Sequence, residues 1–181
     1  MPDGEGGIVE VDIQEPVWVE PAKVGTDANM LGAFQLAKGI AQKWMKNNPQ
    51  YPAPMIVNIS GGMPHYGGKQ VHECMKETTV LAKEIMSLSN EDGNVLVCNV
   101  HIDKSRSDTI VFPDDRNKLK QEEAQFLFDI SSEVPASFFS FINKSYPCGI
   151  QESCGVGSRC YVCNLTPSNL ISLIPSFDYG S

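Results

Sequence analysis

Two apolar runs joined through one amphipathic helix constrain the fold of this chain more than any other feature of its sequence. Residues 55–59 and 95–102 are apolar at most positions, which is typical of strands covered on both faces of a parallel sheet. Between them, apolar residues recur at helical spacing over residues 71–88. Parallel strands joined through a helix require a right-handed crossover, so residues 55–102 are predicted to form one βαβ unit.

The rest of the chain also alternates strand-like and helix-like patterns, which predicts an α/β fold. Residues 8–13 and 16–20 alternate apolar with polar side chains and are predicted to be two half-buried strands of a hairpin or a sheet edge. A helix over residues 28–46 should stop in the proline-rich segment 47–54. The later predicted elements are a short apolar anchor (110–113), helices 120–131 and 137–143, a strand (159–164), and a terminal helix (166–174) that Thr166 caps.

Length and composition predict a single domain. With 181 residues and a 41% hydrophobic fraction, the chain can bury one core. We divide it into a hairpin or edge region (1–21), an α/β core (22–147), and a closing part (148–181) with a cysteine-rich loop, the last strand and the terminal helix.

Charge and hydropathy argue against two classes of partner. The net charge is -8 and the 14 lysines and arginines are scattered, which is unlike a surface that follows nucleic-acid phosphates. No window approaches the roughly 18 to 20 apolar residues of a membrane span. Residues 1–7 lack the basic and apolar regions of a signal peptide. We therefore expect a cytoplasmic protein that binds neither nucleic acid nor membrane.

A candidate ligand edge follows the two central strands, because ligands of open α/β sheets bind at the carboxyl ends of the strands. Two histidines and an aspartate could converge there, with one serine as the candidate nucleophile. That serine lacks the G-x-S-x-G elbow of hydrolases, and no phosphate-binding loop motif occurs, so a polar turn with a satisfied strand-end histidine is favoured. The candidate residues are Ser60, Gly61, Gly62, His65, His101 and Asp103.

The cysteines suggest a different chemistry. Four of them, Cys148, Cys154, Cys160 and Cys163, lie within sixteen positions, and four thiolates form a complete tetrahedral zinc set. Against this, Cys160 and Cys163 are three apart on a predicted strand, where their side chains should point to opposite faces. A disulfide such as Cys148–Cys154 is an alternative, and buried or idle thiols are favoured.

The order of these pieces resembles the bacterial von Willebrand factor A-like (vWA) domains. That resemblance implies a Rossmann-like three-layer fold with a mostly parallel sheet and, in most members, a divalent cation at the carboxyl ends of the strands. The segments that carry it are residues 8–21, the helix opening at Met30, residues 55–64 and 93–102, Phe112 with Pro113, and residues 127–135 and 170–180.

The family's metal-binding residues are missing or displaced in this sequence. No Asp-x-Ser-x-Ser motif occurs, and Gly61 stands where a second aspartate is expected. The threonine position holds Ala28, although Thr26 or Asp27 could serve from an altered loop. Because Mg²⁺ requires oxygen ligands and carboxylate charge, the resemblance implies a lost cation site and no cofactor.

The resemblance also implies an incomplete sheet. In the family, the strand bearing Asp-x-Ser-x-Ser lies beside the one that here runs from Met55 to Ile59, and the first strands have no counterpart in this chain. An unpaired apolar edge is a template for association, so self-association through Met55 to Ile59 is expected unless the edge is covered. A partner could cover it, the chain could be a fragment or a degenerate relative, or the N-terminal hairpin could fill the gap. The fragment or degenerate relative is favoured.

The expected function is that of a noncatalytic protein-interaction module of the vWA type that has lost its metal site and is not an enzyme. The resemblance implies bacterial signalling or stress-response assemblies, beside phosphatases and kinases, with a protein partner that the residues do not specify. The alternative is a protein that binds zinc or a divalent cation, or a small metal-dependent hydrolase, through the cysteines or through His65, His101 and Asp103.

Overall fold

The structure is a computed structural model that describes residues 28–105, 108–145, 154–166, 168 and 169. The two predicted strands of the N-terminal hairpin, residues 8–13 and 16–20, lie outside the described residues, as does most of the predicted terminal helix. The elements are α1 (Met30–Asn47), β1 (Met55–Ser60), α2 (Val71–Met86), β2 (Leu96–His101), β3 (Ile110–Val111), a 3-10 turn (Arg116–Lys118), α3 (Glu122–Asp129), α4 (Ala136–Ser145) and β4 (Tyr161–Cys163).

These strands form one open, mostly parallel sheet within the described part of the chain, in the order β1-β2-β4-β3. β1 pairs in parallel with β2, with Met55 opposite Leu96 and Ser60 opposite His101. β4 pairs in parallel with β2, and β3 is antiparallel to β4. The α/β class is therefore confirmed, and the pairing of β1 with β2 around α2 is the predicted βαβ unit.

Helices cover both faces of the sheet. Helices α1, α2 and α3 pack on one face around Val95 and Val97, and we call this the helical face. Helix α4 and the loop before β4 pack on the other face around Leu96 and Cys98. Every residue of β2 is buried, as expected for a central strand.

Two features differ from the sequence expectation for reasons that the structure shows. The helix predicted to reach residue 131 ends at Asp129, because the chain after it bonds to β2 through Ser132. Its amide donates to the Val97 carbonyl, and its hydroxyl accepts from the Val97 amide, both at 2.9 Å. The predicted apolar anchor contains a strand, β3, that extends the sheet beyond β4.

The start of α1 is fixed to the loop after β1. Asn29 caps the helix by accepting a 2.9 Å hydrogen bond from the Gly32 amide. The Ala28 carbonyl accepts from the amides of Met30 at 2.8 Å and His65 at 3.0 Å. None of the helices in the described ranges combines the length and hydropathy that a membrane span needs.

Candidate functional site

A polar cleft of about 440 Å³ lies at the carboxyl edge of β1 and β2, where the start of α3 approaches the sheet. The sequence placed three of its residues at this edge, namely Gly61, His101 and Asp103. The lining also includes Gln121 and Glu123 from the beginning of α3. Sequence reasoning missed these two because no local pattern shows which part of the sheet a later helix will approach.

Asp103 is a charged residue of this cleft whose backbone and side chain are both hydrogen-bonded. Its Oδ1 accepts hydrogen bonds from the Ser105 hydroxyl at 2.6 Å and the Ser105 amide at 2.8 Å, and these bonds lower the pKa of the Asp103 carboxyl. Asn164, at the end of β4, holds the Asp103 backbone through bonds of 2.9 and 3.0 Å. The residue is partly exposed, but its Oδ2 is covered and has no hydrogen-bond partner in the described ranges.

His101 is tied to β4. It is only 3% exposed, and its Nδ1 lies 2.9 Å from the Tyr161 hydroxyl and 3.9 Å from Sγ of Cys163. A Cβ atom placed on Gly62 would come within 3.2 Å of the other ring nitrogen, Nε2. The imidazole is thus wedged between the Gly62 turn and β4, which is the arrangement of a structural histidine.

The Ser60 hydroxyl shapes the turn at the end of β1. Its Oγ accepts a 3.3 Å hydrogen bond from the Gly62 amide, and its carbonyl accepts from the Ile102 amide at 2.9 Å. Gly62 has a φ of +112° and packs so closely that an added Cβ would lie 2.7 Å from Cβ of Glu123. The turn therefore needs glycine, and Ser60 is not presented on a nucleophile elbow.

The predicted convergence of His65, His101 and Asp103 is corrected by the structure. His101 and Asp103 line the same cleft, whereas His65 is exposed and does not line it. After Gly62 the chain turns away to the start of α1, where the His65 amide bonds to Ala28. Thr26 and Asp27 lie outside the described residues.

The four-cysteine zinc set is also corrected. Cys160 packs with Cys98 and Cys154 on the α4 side of the sheet, whereas Cys163 packs on the helical face. The sheet separates Cys160 from Cys163, so they cannot share one ion, as their spacing on a strand predicts. Cys148 lies outside the described residues.

The remaining cysteine cluster is apolar in character. Burial raises the pKa of Cys98 to about 12 and that of Cys160 well above its usual value, so both thiols are neutral at physiological pH. Across the described ranges, no group of three or more histidine, cysteine, aspartate or glutamate side chains is placed to hold a metal ion.

The geometry defines an α/β protein with an open, mostly parallel sheet and a polar cleft at the carboxyl ends of its central strands. No protein-family model, no curated protein and no solved structure matches this chain.

Proposed function

We propose that this chain is a noncatalytic protein-interaction module of the vWA type, and that its contact surface is the cleft at the carboxyl edge. The observation that carries the proposal is the pair of carboxylates, Asp103 and Glu123, in the lining of one cleft. The hydrogen bonds from Ser105 lower the pKa of the Asp103 carboxyl, so it is ionised at neutral pH. A cationic donor from another molecule that enters the cleft would interact favourably with this charge.

The kind of group that fits is an arginine side chain of a partner protein. The charged side chains in the cleft lining are two carboxylates, Asp103 and Glu123, and one cation, Lys104. A guanidinium has several donors in a fixed plane that can serve two carboxylate acceptors. Ile102, beside Asp103, is 53% exposed and supplies an apolar rim to such a contact. Interaction is favoured over catalysis because Ser60, the candidate nucleophile, accepts a hydrogen bond within its own turn and does not line the cleft.

The vWA assignment rests on resemblance and on general architecture. A mostly parallel sheet with helices on both faces is compatible with a Rossmann-like fold, and this class binds ligands at the carboxyl edge. By the same resemblance, the partner would belong to a cytoplasmic bacterial signalling or stress-response assembly.

The test is an NMR titration of the full chain with the blocked peptide acetyl-Gly-Arg-Gly-amide. We expect saturable shifts in the amide signals of Gly61, Asp103 and Ser105. The neutral isostere acetyl-Gly-citrulline-Gly-amide should give no saturable shifts, because it lacks the positive charge. Shifts that are equal for both peptides, or absent, would overturn the proposal.

Two variants locate the binding site. Asp103→Asn keeps an acceptor for Ser105 but removes the charge, and it should weaken peptide binding about tenfold or more. The matched variant Glu91→Gln changes one exposed carboxylate on another loop and should bind like the wild type. Equal binding by Asp103→Asn and the wild type would place the peptide elsewhere.

A further inference from the structure

One edge of the described sheet is open, and the backbone groups that point to it can be identified. The Leu96 amide bonds to the carbonyl of Pro54, and the Ile102 amide bonds to the carbonyl of Ser60. Backbone groups of successive strand residues point to opposite sides, so those of Met55, Val57 and Ile59 point away from β2. Among the described residues, no strand pairs with them.

An apolar groove of about 440 Å³ runs beside this edge, between β1 and α1. It is lined by Ile40, Ala41 and Trp44 of α1 together with Tyr51, Pro54 and Ile56. Ile40 and Tyr51 are 61% and 53% exposed, and Leu36, one turn before Ile40, is 67% exposed. An open strand edge next to a groove of this composition is suited to one more strand with large apolar side chains.

Chain topology indicates which strand fits. Helices α1 and α2 pack side by side on the helical face, and α2 connects β1 to its parallel neighbour β2. Crossovers of this kind are right-handed, so the strand that precedes α1 and is parallel to β1 must lie on the side of β1 away from β2. That side is the open edge.

The sequence before α1 contains a strand-like segment within reach of that edge. Residues 16–20 read Pro-Val-Trp-Val-Glu, a strand-like run that opens with proline, which strands tolerate at their first position. From Glu20 to Ala28, which bonds to His65 just beyond the carboxyl end of β1, the chain can span about 27 Å when extended. The six residues of β1 measure only about 20 Å.

Charge complementarity also favours the N-terminal segment as the strand that binds the open edge of β1. Residues 1–27 contain seven acidic side chains and one lysine, whereas α1 contains three lysines and no acidic residue. Lys43 lies three positions from Ile40 on α1 and is exposed. A tethered segment of the same chain also has an effective concentration near millimolar, which a second copy does not reach in ordinary solution.

We infer that residues 16–20 of this chain bind parallel to β1 at its open edge and place apolar side chains in the groove beside α1. The inference concerns a different surface from the proposed arginine cleft, so either can fail without the other.

The test is NMR on the full chain. We expect nuclear Overhauser contacts between backbone protons of residues 16–20 and those of β1, in a sample that light scattering shows to be monomeric. The amides of Met55, Val57 and Ile59 should exchange with solvent about as slowly as those of Ile56 and Asn58. Absence of the contacts, rapid exchange of the three amides, or protection that rises with protein concentration would overturn the inference.

Hydrogen exchange in a proline variant is a second, independent test. Val17→Pro with Trp18→Pro removes two neighbouring donors and should speed exchange at Met55, Val57 and Ile59 about 100-fold or more, while amides of β2 stay protected. Gly6→Pro with Gly7→Pro, in the same acidic segment, should exchange like the wild type. Unchanged exchange in the first variant would overturn the inference. If the amides of β2 also lose protection in this variant, the whole fold has been destabilised. The nuclear Overhauser contacts of the wild type then decide whether the inference holds.

Discussion

Asn58 and Asn99 are register partners on β1 and β2, and the side-chain amide of Asn58 donates a 2.8 Å hydrogen bond to Oδ1 of Asn99. Asn99 is fully buried. Its Nδ2 lies 2.9 Å from the Ser131 hydroxyl and 3.2 and 3.3 Å from the carbonyls of Leu127 and Ile130. One side chain therefore joins the two central strands to the end of α3, where it donates to the Ile130 carbonyl, while the Leu127 carbonyl also accepts from the Ser131 hydroxyl at 2.7 Å.

Removing the hydrogen bonds of Asn99 should destabilise the protein. Asn99→Leu is expected to lower the free energy of unfolding by about 3 kcal/mol, because it removes the partner of the Asn58 amide and of the buried Ile130 carbonyl. Urea denaturation followed by circular dichroism measures the change. Asn117→Leu, at an exposed turn, should alter stability by about 0.5 kcal/mol or less. Equal effects of the two substitutions would contradict the stabilising role of the Asn99 hydrogen bonds.

The two glycines after Ser60 should respond differently to alanine. Gly62→Ala is expected to destabilise the fold by about 2 kcal/mol, because its φ is +112° and the new Cβ would press on Glu123 and His101. Gly61→Ala is the matched control, since an added Cβ meets nothing within 4 Å there. Thermal and chemical denaturation of both variants give the comparison. If Gly61→Ala proves the more harmful, the described turn geometry is wrong.

Stability at low pH should depend on Glu77. This carboxylate accepts from Lys69 at 2.5 Å and Tyr66 at 2.9 Å, and these bonds lower its pKa, Lys69 having the larger effect. A lowered folded-state pKa stabilises above the unfolded value of about 4.3, and the benefit is lost as pH falls through the folded value. The stability difference between the wild type and Glu77→Gln should therefore be constant near neutrality and shrink below about pH 4.

The control for this titration is Glu91→Gln, which removes an exposed carboxylate from a loop. Its difference from the wild type should stay small at every pH. Urea unfolding at a series of pH values supplies both curves. A Glu77→Gln difference that grows as the solution becomes acidic would have the wrong sign for the described bonds.

Magnesium should not stabilise the protein. Gly61 occupies the position where the resemblance places an aspartate, and Asp103 and Glu123 are the carboxylates of the described cleft. We expect no rise in melting temperature with millimolar Mg²⁺, compared with NaCl at equal ionic strength. A reproducible rise of several degrees that Asp103→Asn abolishes would reveal a working cation site.

The strand and helix pattern of the core was predictable because its signals are local. The buried run that became β2 and the helical spacing of α2 each depend on near neighbours in sequence, and together they predict the parallel pair β1-β2. The helix boundary at Asp129 was not predictable, because the chain after it bonds through Ser132 to a strand that lies 35 residues earlier. Long-range hydrogen bonds of this kind leave no periodic signal.

The candidate site was predictable only in part, for a related reason. The rule that ligand edges follow parallel strands correctly places Gly61, His101 and Asp103 at one cleft. The rule does not say how many residues after a strand remain at the edge. His65, five residues beyond the end of β1, was therefore wrongly placed in the cleft. The contribution of Glu123 depends on how α3 packs, and packing is set by the whole core.

The bridge between Ala28 and His65 has a mechanical consequence. Because the Ala28 carbonyl holds the loop after β1 as well as the first turn of α1, tension applied upstream of Ala28 would reach that loop directly, without first unwinding the helix. The load would pass along the backbone from His65 toward Gly62, which packs against His101 and Glu123. A pull on the N-terminal side of the chain would therefore be transmitted to the wall of the cleft.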